Sequence, residues 1–344
     1  MAIELWTAGV NIPGHAIDQA RQATADGYDG ISMGDTVTLG GDPYVGLTAA
    51  AFASPTLKLM VGVTNSVTRH PALTAAAIAS VQIESKGRAV LGIGRGDSAV
   101  SKFGLKASTA AELEQYLIEL QGYLRGDKVH RDGKDSALEW LRAMDLPKVP
   151  VDVAATGPKV IAAGARHAER LTFNLGADAE RIAEAIKYAR QVRKDAGLSA
   201  DGISFGAYLP VAPHSNVAAA RDLVRAVTGI YARFQAMPGH PTDQVRPENA
   251  ETIKKAAAAY AERLKTNAGH PGAYVATLME DEFVDRFAAV GTPEQVIEKL
   301  AKLRKLGLDR LMMVGPNRIA SPEHYLESRR LLAEVVIPEL KQLA

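Results

Sequence analysis

The residues able to do chemistry fall in four places. Glu4 lies mid-strand among Ile3, Leu5 and Trp6, where an ionised carboxylate is costly unless it is paired. A desolvated glutamate has a raised pKa and can donate a proton at neutral pH. Glu4 is therefore a candidate acid, and the competing reading is a structural partner for a barrel arginine or lysine. Asp35, with Thr36 after it, ends an apolar segment and is placed either to hydrogen-bond a cofactor or to cap a turn. Thr156-Gly157-Pro158-Lys159 opens a helix directly after another apolar run. Free backbone N–H groups, the helix dipole and the Lys159 ammonium make an anion site there; the plainer reading is an ordinary helix start with proline in its first turn.

The densest set runs from Leu57 to Asp97. An apolar strand (Leu57 to Thr64) closes in small and polar residues, and a loop carries Asn65, Thr68, Arg69 and His70. Pro71 then starts an Ala-rich helix stopped by Lys86-Gly87, and a second apolar strand (Arg88 to Ile93) ends in Gly94-Arg95-Gly96-Asp97. Positions just past the C-terminal ends of strands are where parallel α/β folds bind ligands. The run Gly92 to Asp97 has the wrong glycine spacing for a dinucleotide fingerprint and follows the fourth strand, not the first. Its glycines instead let the backbone turn sharply and approach a flat ligand. Arg95 and Asp97 either touch that ligand or pair at the rim, and His70 either orients a cofactor phosphate or ribityl group or caps its helix. No HExxH and no close His/Asp/Glu cluster occurs, so no catalytic metal is expected, and no G-x-S-x-G elbow is present.

The elements that position these residues alternate regularly. Apolar strands are expected at Ile3 to Trp6, Asp29 to Met33, Leu57 to Thr64, Arg88 to Ile93, Val149 to Ala155, Arg170 to Asn174, Ile203 to Val211 and Leu308 to Val314, with helical segments between them. Such βαβ crossovers imply a parallel sheet. Eight strands in one chain imply closure into an α/β (β/α)8 TIM barrel, with an open doubly wound sheet as the alternative. Residues 127–148 read as an irregular surface excursion. The alternation breaks over residues 212–282, which read as a helical insertion between strands 7 and 8 and contain Gly-His-Pro segments starting at Gly239 and Gly269. Residues 1–344 are taken as a single barrel domain carrying that insertion.

Bulk properties narrow the partners. The 344 residues are 47% hydrophobic and 23% charged with net charge +1, and cysteine is absent. There is no basic excess to neutralise nucleic-acid phosphates and no apolar run long enough for a bilayer. A cytoplasmic protein acting on a small molecule fits, with no disulfide or thiolate chemistry.

The stretches Gly62 to Ala77 and Gly87 to Asp97 closely resemble the bacterial luciferase-like superfamily, in the branch typified by methylenetetrahydromethanopterin reductase. The Asp35 strand end, Ala155-Thr-Gly-Pro158 and Val290-Gly-Thr-Pro-Glu294 fit the same pattern. The resemblance implies a usually dimeric barrel that binds a deazaflavin, coenzyme F(420), or FMN at its C-terminal mouth and moves a hydride. It also implies a bulged third strand with a non-prolyl cis peptide at Gly62-Val63 or its neighbour. The redox ring would then be held by Asp35, Thr36, Gly62, Val63, Thr64 and Asn65, with His70, Gly94, Arg95, Asp97 and Asn174 around it. The phosphate would sit on Thr156, Gly157, Pro158 and Lys159, and Glu4 would deliver the proton. Deazaflavin users often carry Asp-His where this chain has Asp35-Thr36. That departure speaks against the deazaflavin and keeps two other cofactors open: the resemblance ranks coenzyme F(420) first, FMN in a monooxygenase second, and NAD(P)H in a flavin-free reductase third, and a non-catalytic ligand-binding barrel is the rival from another class.

Overall fold

The computed structural model describes residues 3–236, 247–266, 271–318 and 320–343. Eight parallel strands form in chain order: β1 (Glu4–Val10), β2 (Gly30–Gly34), β3 (Lys58–Asn65), β4 (Ala89–Gly94), β5 (Val151–Ala155), β6 (Arg170–Phe173), β7 (Ser204–Pro213) and β8 (Arg310–Val314). Each pairs with the next, and β8 returns to β1 with Glu4 opposite Arg310 and Ala8 opposite Val314. The sheet is a closed (β/α)8 barrel.

Alternation along each strand separates two packed regions, because successive side chains point to opposite faces. Leu5, Leu59 and Leu311 face outward into the cluster shared with the helices. Their neighbours Trp6, Met60 and Met312 fill the interior with Val90, Tyr208 and Val314. The large interior side chains are admitted by glycines on adjacent strands. A Cβ at Gly30 would lie 2.3 Å from the Trp6 ring, and one at Gly206 would lie 2.5 Å from Arg310. Caps written into the sequence start several of the crossover helices. Asp42 accepts from the Tyr44 N–H at 2.9 Å, and Thr109 with Glu112 forms a capping box.

Two expectations need correction. β1 does not stop at Trp6 but runs to Val10, laddering against β2 as far as Gly34. Residues 127–148 are not wholly irregular: Val129–Arg131 and Lys134–Ser136 form an antiparallel hairpin, and Glu139–Ala143 is a 3-10 turn. The region between β7 and β8 contains helices Val217–Ala232, Pro247–Thr266, Pro271–Ala276 and Asp281–Phe287. It is followed by a short strand, Ala289–Gly291, that extends the sheet beside the end of β7. These helices pack a core of their own around Leu223, Ile253, Phe283 and Phe287. Gly239 and Gly269, which open the two Gly-His-Pro segments, lie outside the described residues. Among the described residues no helix is long and apolar enough to cross a membrane.

Candidate active site

The N-terminal end of the barrel is a floor of satisfied charge. Arg310 and Asp152, both fully buried, pair at 3.0 Å. Asp152 also accepts from Thr172 Oγ1 at 2.7 Å and from Arg170 at 3.3 Å. Arg170 reaches on to Glu4 Oε2 at 3.1 Å, Trp6 Nε1 donates to the same oxygen at 3.0 Å, and Lys58 pairs with Oε1. Burial alone would push the Glu4 carboxyl up, but Arg170 and Lys58 outweigh it and hold the pKa down at about 2. The expected raised pKa is thus reversed. Glu4 is the first residue of β1, so it faces the floor, a strand's length from the mouth, and its role as proton donor is withdrawn. The structural-partner reading describes its contacts.

The C-terminal mouth is built differently. The β3–β4 ladder shifts register between Val61 and Thr64, and the Gly62–Val63 peptide is cis. This bulge presses on β4: a Cβ at Gly92 would sit 2.3 Å from the Val61 carbonyl oxygen, and Val63 lies against Gly92 and Gly94. Asp35, just past β2, is buried; it accepts from Thr64 Oγ1 at 2.7 Å, and Arg69 Nε approaches it at 3.5 Å. Its N–H donates to the Val63 carbonyl at 3.4 Å, which ties the end of β2 to the bulge. Asp35, Gly62, Val63, Thr64 and Gly94 therefore meet on three adjacent strands, with half-buried Thr36 beside them.

The other sequence-derived residues divide. Asn65 Oδ1 accepts the N–H groups of Val67 and Thr68 at 2.9 Å each, so this oxygen builds the loop. His70 is exposed, and its Nδ1 accepts from Ala72 N–H at 3.1 Å, capping helix Pro71–Glu84. Arg95 Nε donates to the Ser108 carbonyl, and Asp97 pairs with Arg233 of the turn Arg233–Ala236, which follows the first helix of the insertion. Gly157 is the N-cap of helix Pro158–His167 and has no side chain to satisfy its first amides; it is buried, whereas Lys159 is exposed. Asn174, 7% exposed, binds β5 through its N–H to Ala155 at 2.9 Å, and its Oδ1 has no partner.

Sequence reasoning missed Ser32, Tyr208 and Arg233. The Ser32 and Tyr208 hydroxyls are buried, unpartnered, and both near the bulge; Tyr208 lies 3.8 Å from where a Cβ on Gly62 would be. Burial, with Asp152 next in effect, raises the Tyr208 phenol well above its usual pKa and keeps it neutral. Ser32 had a signal, since Gly30, Ser32 and Gly34 form an inward stripe of small residues alternating with Ile31 and Met33. Arg233 had none, because its contacts with Asp97 and the Tyr260 ring (3.6 Å) exist only once the insertion has folded. Buried polar groups in proteins are nearly always satisfied. A cluster of orphans beside a glycine-lined bulge and an uncapped helix start is what a polar, flat, phosphate-bearing ligand fits. Among the described residues no cluster of three or more His, Asp or Glu is arranged to hold a metal.

A closed barrel with its polar orphans at the C-terminal mouth is the ligand-binding form of this architecture. Residues 6–310 match the luciferase-like monooxygenase family, and the chain belongs to it. The chain is 31% identical over 307 residues to a 5,10-methylenetetrahydromethanopterin reductase of Archaeoglobus fulgidus, covering 87% of each. A coenzyme F(420)-dependent tetrahydromethanopterin reductase of Methanopyrus kandleri shares the fold, with TM-score 0.76, 20% identity and coverage of 99% and 100%. So does the FMN-bound oxygenating component of a diketocamphane monooxygenase from Pseudomonas putida, with TM-score 0.66, 18% identity and coverage of 98% of each chain.

Proposed function

We propose that this protein is an oxidoreductase in which a hydride passes between coenzyme F(420) and an electrophilic carbon of a small organic molecule. The observation that carries the reading is the convergence of the Asp35–Thr64 pair, the Gly62–Val63 bulge and the unpartnered Asn174 oxygen at one mouth. The reductase names among its relatives favour the deazaflavin over other cofactors. When bound, the deazaflavin supplies the hydride chemistry. The chain's residues bind and orient. Val63 gives the ring a backing, Thr64 is held at a fixed angle by Asp35, and Asn174 Oδ1 accepts from a ring or side-chain donor. The backbone N–H groups of Gly157, Lys159 and Val160 face the phosphate, with the Lys159 ammonium near it. Asp35, ion-paired with Arg69, is the buried carboxylate beside the bulge. Thr36 and Gly94 border the ring, and Arg95 and Asp97 fix the rim.

Anaerobic mixing with reduced coenzyme F(420) and methylenetetrahydromethanopterin, the acceptor in the Archaeoglobus relative's name, should regenerate the oxidised deazaflavin absorbance. Consumption of oxygen with reduced FMN, and no reaction with the deazaflavin, would favour the monooxygenase reading instead. A reaction that draws on a cellular pool of reduced cofactor supports a cytoplasmic protein.

We also infer a homodimer. Helices Pro43–Ala53 and Pro71–Glu84 pack side by side and are both predominantly apolar. They expose Val45 (70%), Phe52 (72%) and Leu73 (64%), and such helices are ordinarily buried. Sedimentation of Phe52→Lys as a monomer, against a dimer for the parent, tests this.

A further inference from the structure

Two hydroxyls to which the proposed function gives no part, on Ser32 of β2 and Tyr208 of β7, end beside the Gly62–Val63 bulge. We propose that they form a donor pair for one carbonyl oxygen of the ring seated there, on the pyrimidinedione edge that deazaflavins and flavins share. The pair deepens the cofactor reading above and rests on the bulge being the seat of the ring.

The two side chains converge from different walls. Alternation turns Ser32 inward on β2 and Tyr208 inward on β7. β7 stands four strands around the eight-stranded barrel from β3, so these two strands face each other across the interior. The Tyr208 ring packs there with Trp6, Met60 and Met312, and its hydroxyl ends 3.8 Å from where a Cβ on Gly62 would be. Ser32 comes from the strand next to β3. A Cβ on Gly62 would sit 1.8 Å from Ser32 Oγ, so any side chain at position 62 would displace that hydroxyl. The glycine therefore leaves the Ser32 hydroxyl standing against the bulge itself.

Neither hydroxyl is wet or spent. Ser32 is fully buried, Tyr208 is 5% exposed, and neither oxygen has a hydrogen-bond partner. Asp35, the buried carboxylate beside the bulge, is taken up by Thr64 and Arg69 instead. Burial, with Asp152 next in effect, keeps the Tyr208 phenol protonated and so able to donate. Two unmet donors beside one peptide call for an acceptor with two lone pairs, which a carbonyl oxygen has and a protonated ring nitrogen lacks. An entering carbonyl relieves the penalty that both carry. Asn174 offers the mouth an unmet acceptor. Donors at one place and an acceptor at another fix which way round a flat ring lies.

The test is fluorescence titration of the full chain, Ser32→Ala and Tyr208→Phe with oxidised coenzyme F(420) and, separately, with FMN, beside a urea unfolding curve for each protein. Each substitution deletes a single oxygen. For whichever cofactor the parent binds, each variant should bind about tenfold more weakly. The urea midpoint should hold or rise, because an unmet buried hydroxyl has gone. Unchanged affinity in both variants overturns the proposal, and a lowered midpoint beside it would make the hydroxyls part of the scaffold. Should Tyr208→Phe fail to fold, Ser32→Ala carries the test alone. A parent that binds FMN and not coenzyme F(420), with the variants weakened, keeps the donor pair and removes the proposed activity. A parent that binds coenzyme F(420), with the variants unchanged, removes the donor pair and keeps the activity. Binding of neither cofactor overturns both.

Discussion

Both ends of the barrel bury polar side chains, and they differ in how completely those side chains are partnered. At the floor, Glu4, Lys58, Asp152, Arg170, Thr172 and Arg310 share one continuous network in which each has a partner. At the mouth, Ser32, Asn174 and Tyr208 are buried with polar atoms that have none. A satisfied network gives stability and a unique arrangement, while an unsatisfied group holds interaction energy in reserve for a ligand. Unpartnered buried polar atoms therefore mark the mouth and not the floor.

The comparison breaks most readily at the floor. Asp152→Ala strands a fully buried Arg310 and should cost about 3–5 kcal/mol, read as a drop in the urea midpoint. Asp152→Leu with Arg310→Met should lose much less. Equal losses would mean that the pair itself, not the stranded charge, dominates.

Glu4 sharpens the same point through pH. Its pKa is depressed from 4.5 to about 2 in the fold, so its contribution is fully present above pH 4.5 and fades as pH falls toward 2. The contribution is at most about 3 kcal/mol by linkage. Glu4→Gln should flatten this acid limb of stability and leave cofactor affinity alone. A change in the pH profile of turnover near neutrality would return Glu4 to the chemistry.

Mouth substitutions should show the opposite split. Gly92→Ala sets a methyl 2.3 Å from the Val61 carbonyl oxygen and must move the bulge. A fall of about 100-fold in cofactor affinity, roughly 2.7 kcal/mol, is expected. Asn174→Ala removes an orphan, so stability should stay within about 0.5 kcal/mol while affinity falls about tenfold. Stability lost at Asn174 without affinity lost would place that residue with the scaffold.

Much of this was legible in the sequence. Eight apolar runs separated by helices imply the closed sheet, because parallel neighbours need crossovers. The family likeness around Gly62 located the cis peptide and its bulge. Glu4 was misread for a definite reason. Thr7 to Val10 are small or half-exposed, so hydropathy ends the strand at Trp6 and puts the acid mid-strand. The ladder with β2 continues to Val10 and puts it at the floor. Hydropathy gives a side chain's neighbours along the strand but not its level in the barrel. The Asp97–Arg233 pair was illegible for another reason: it joins residues 136 apart through an insertion whose pattern says only that it is helical.

The most direct test is equilibrium titration of the parent chain and of Asn174→Ala with coenzyme F(420), FMN and NADPH in parallel, read by cofactor fluorescence. Tight binding of coenzyme F(420) alone, weakened about tenfold by the substitution, is the result expected from a mouth held ready for that ring. Equal or absent binding of all three cofactors, or affinity indifferent to Asn174, would contradict it.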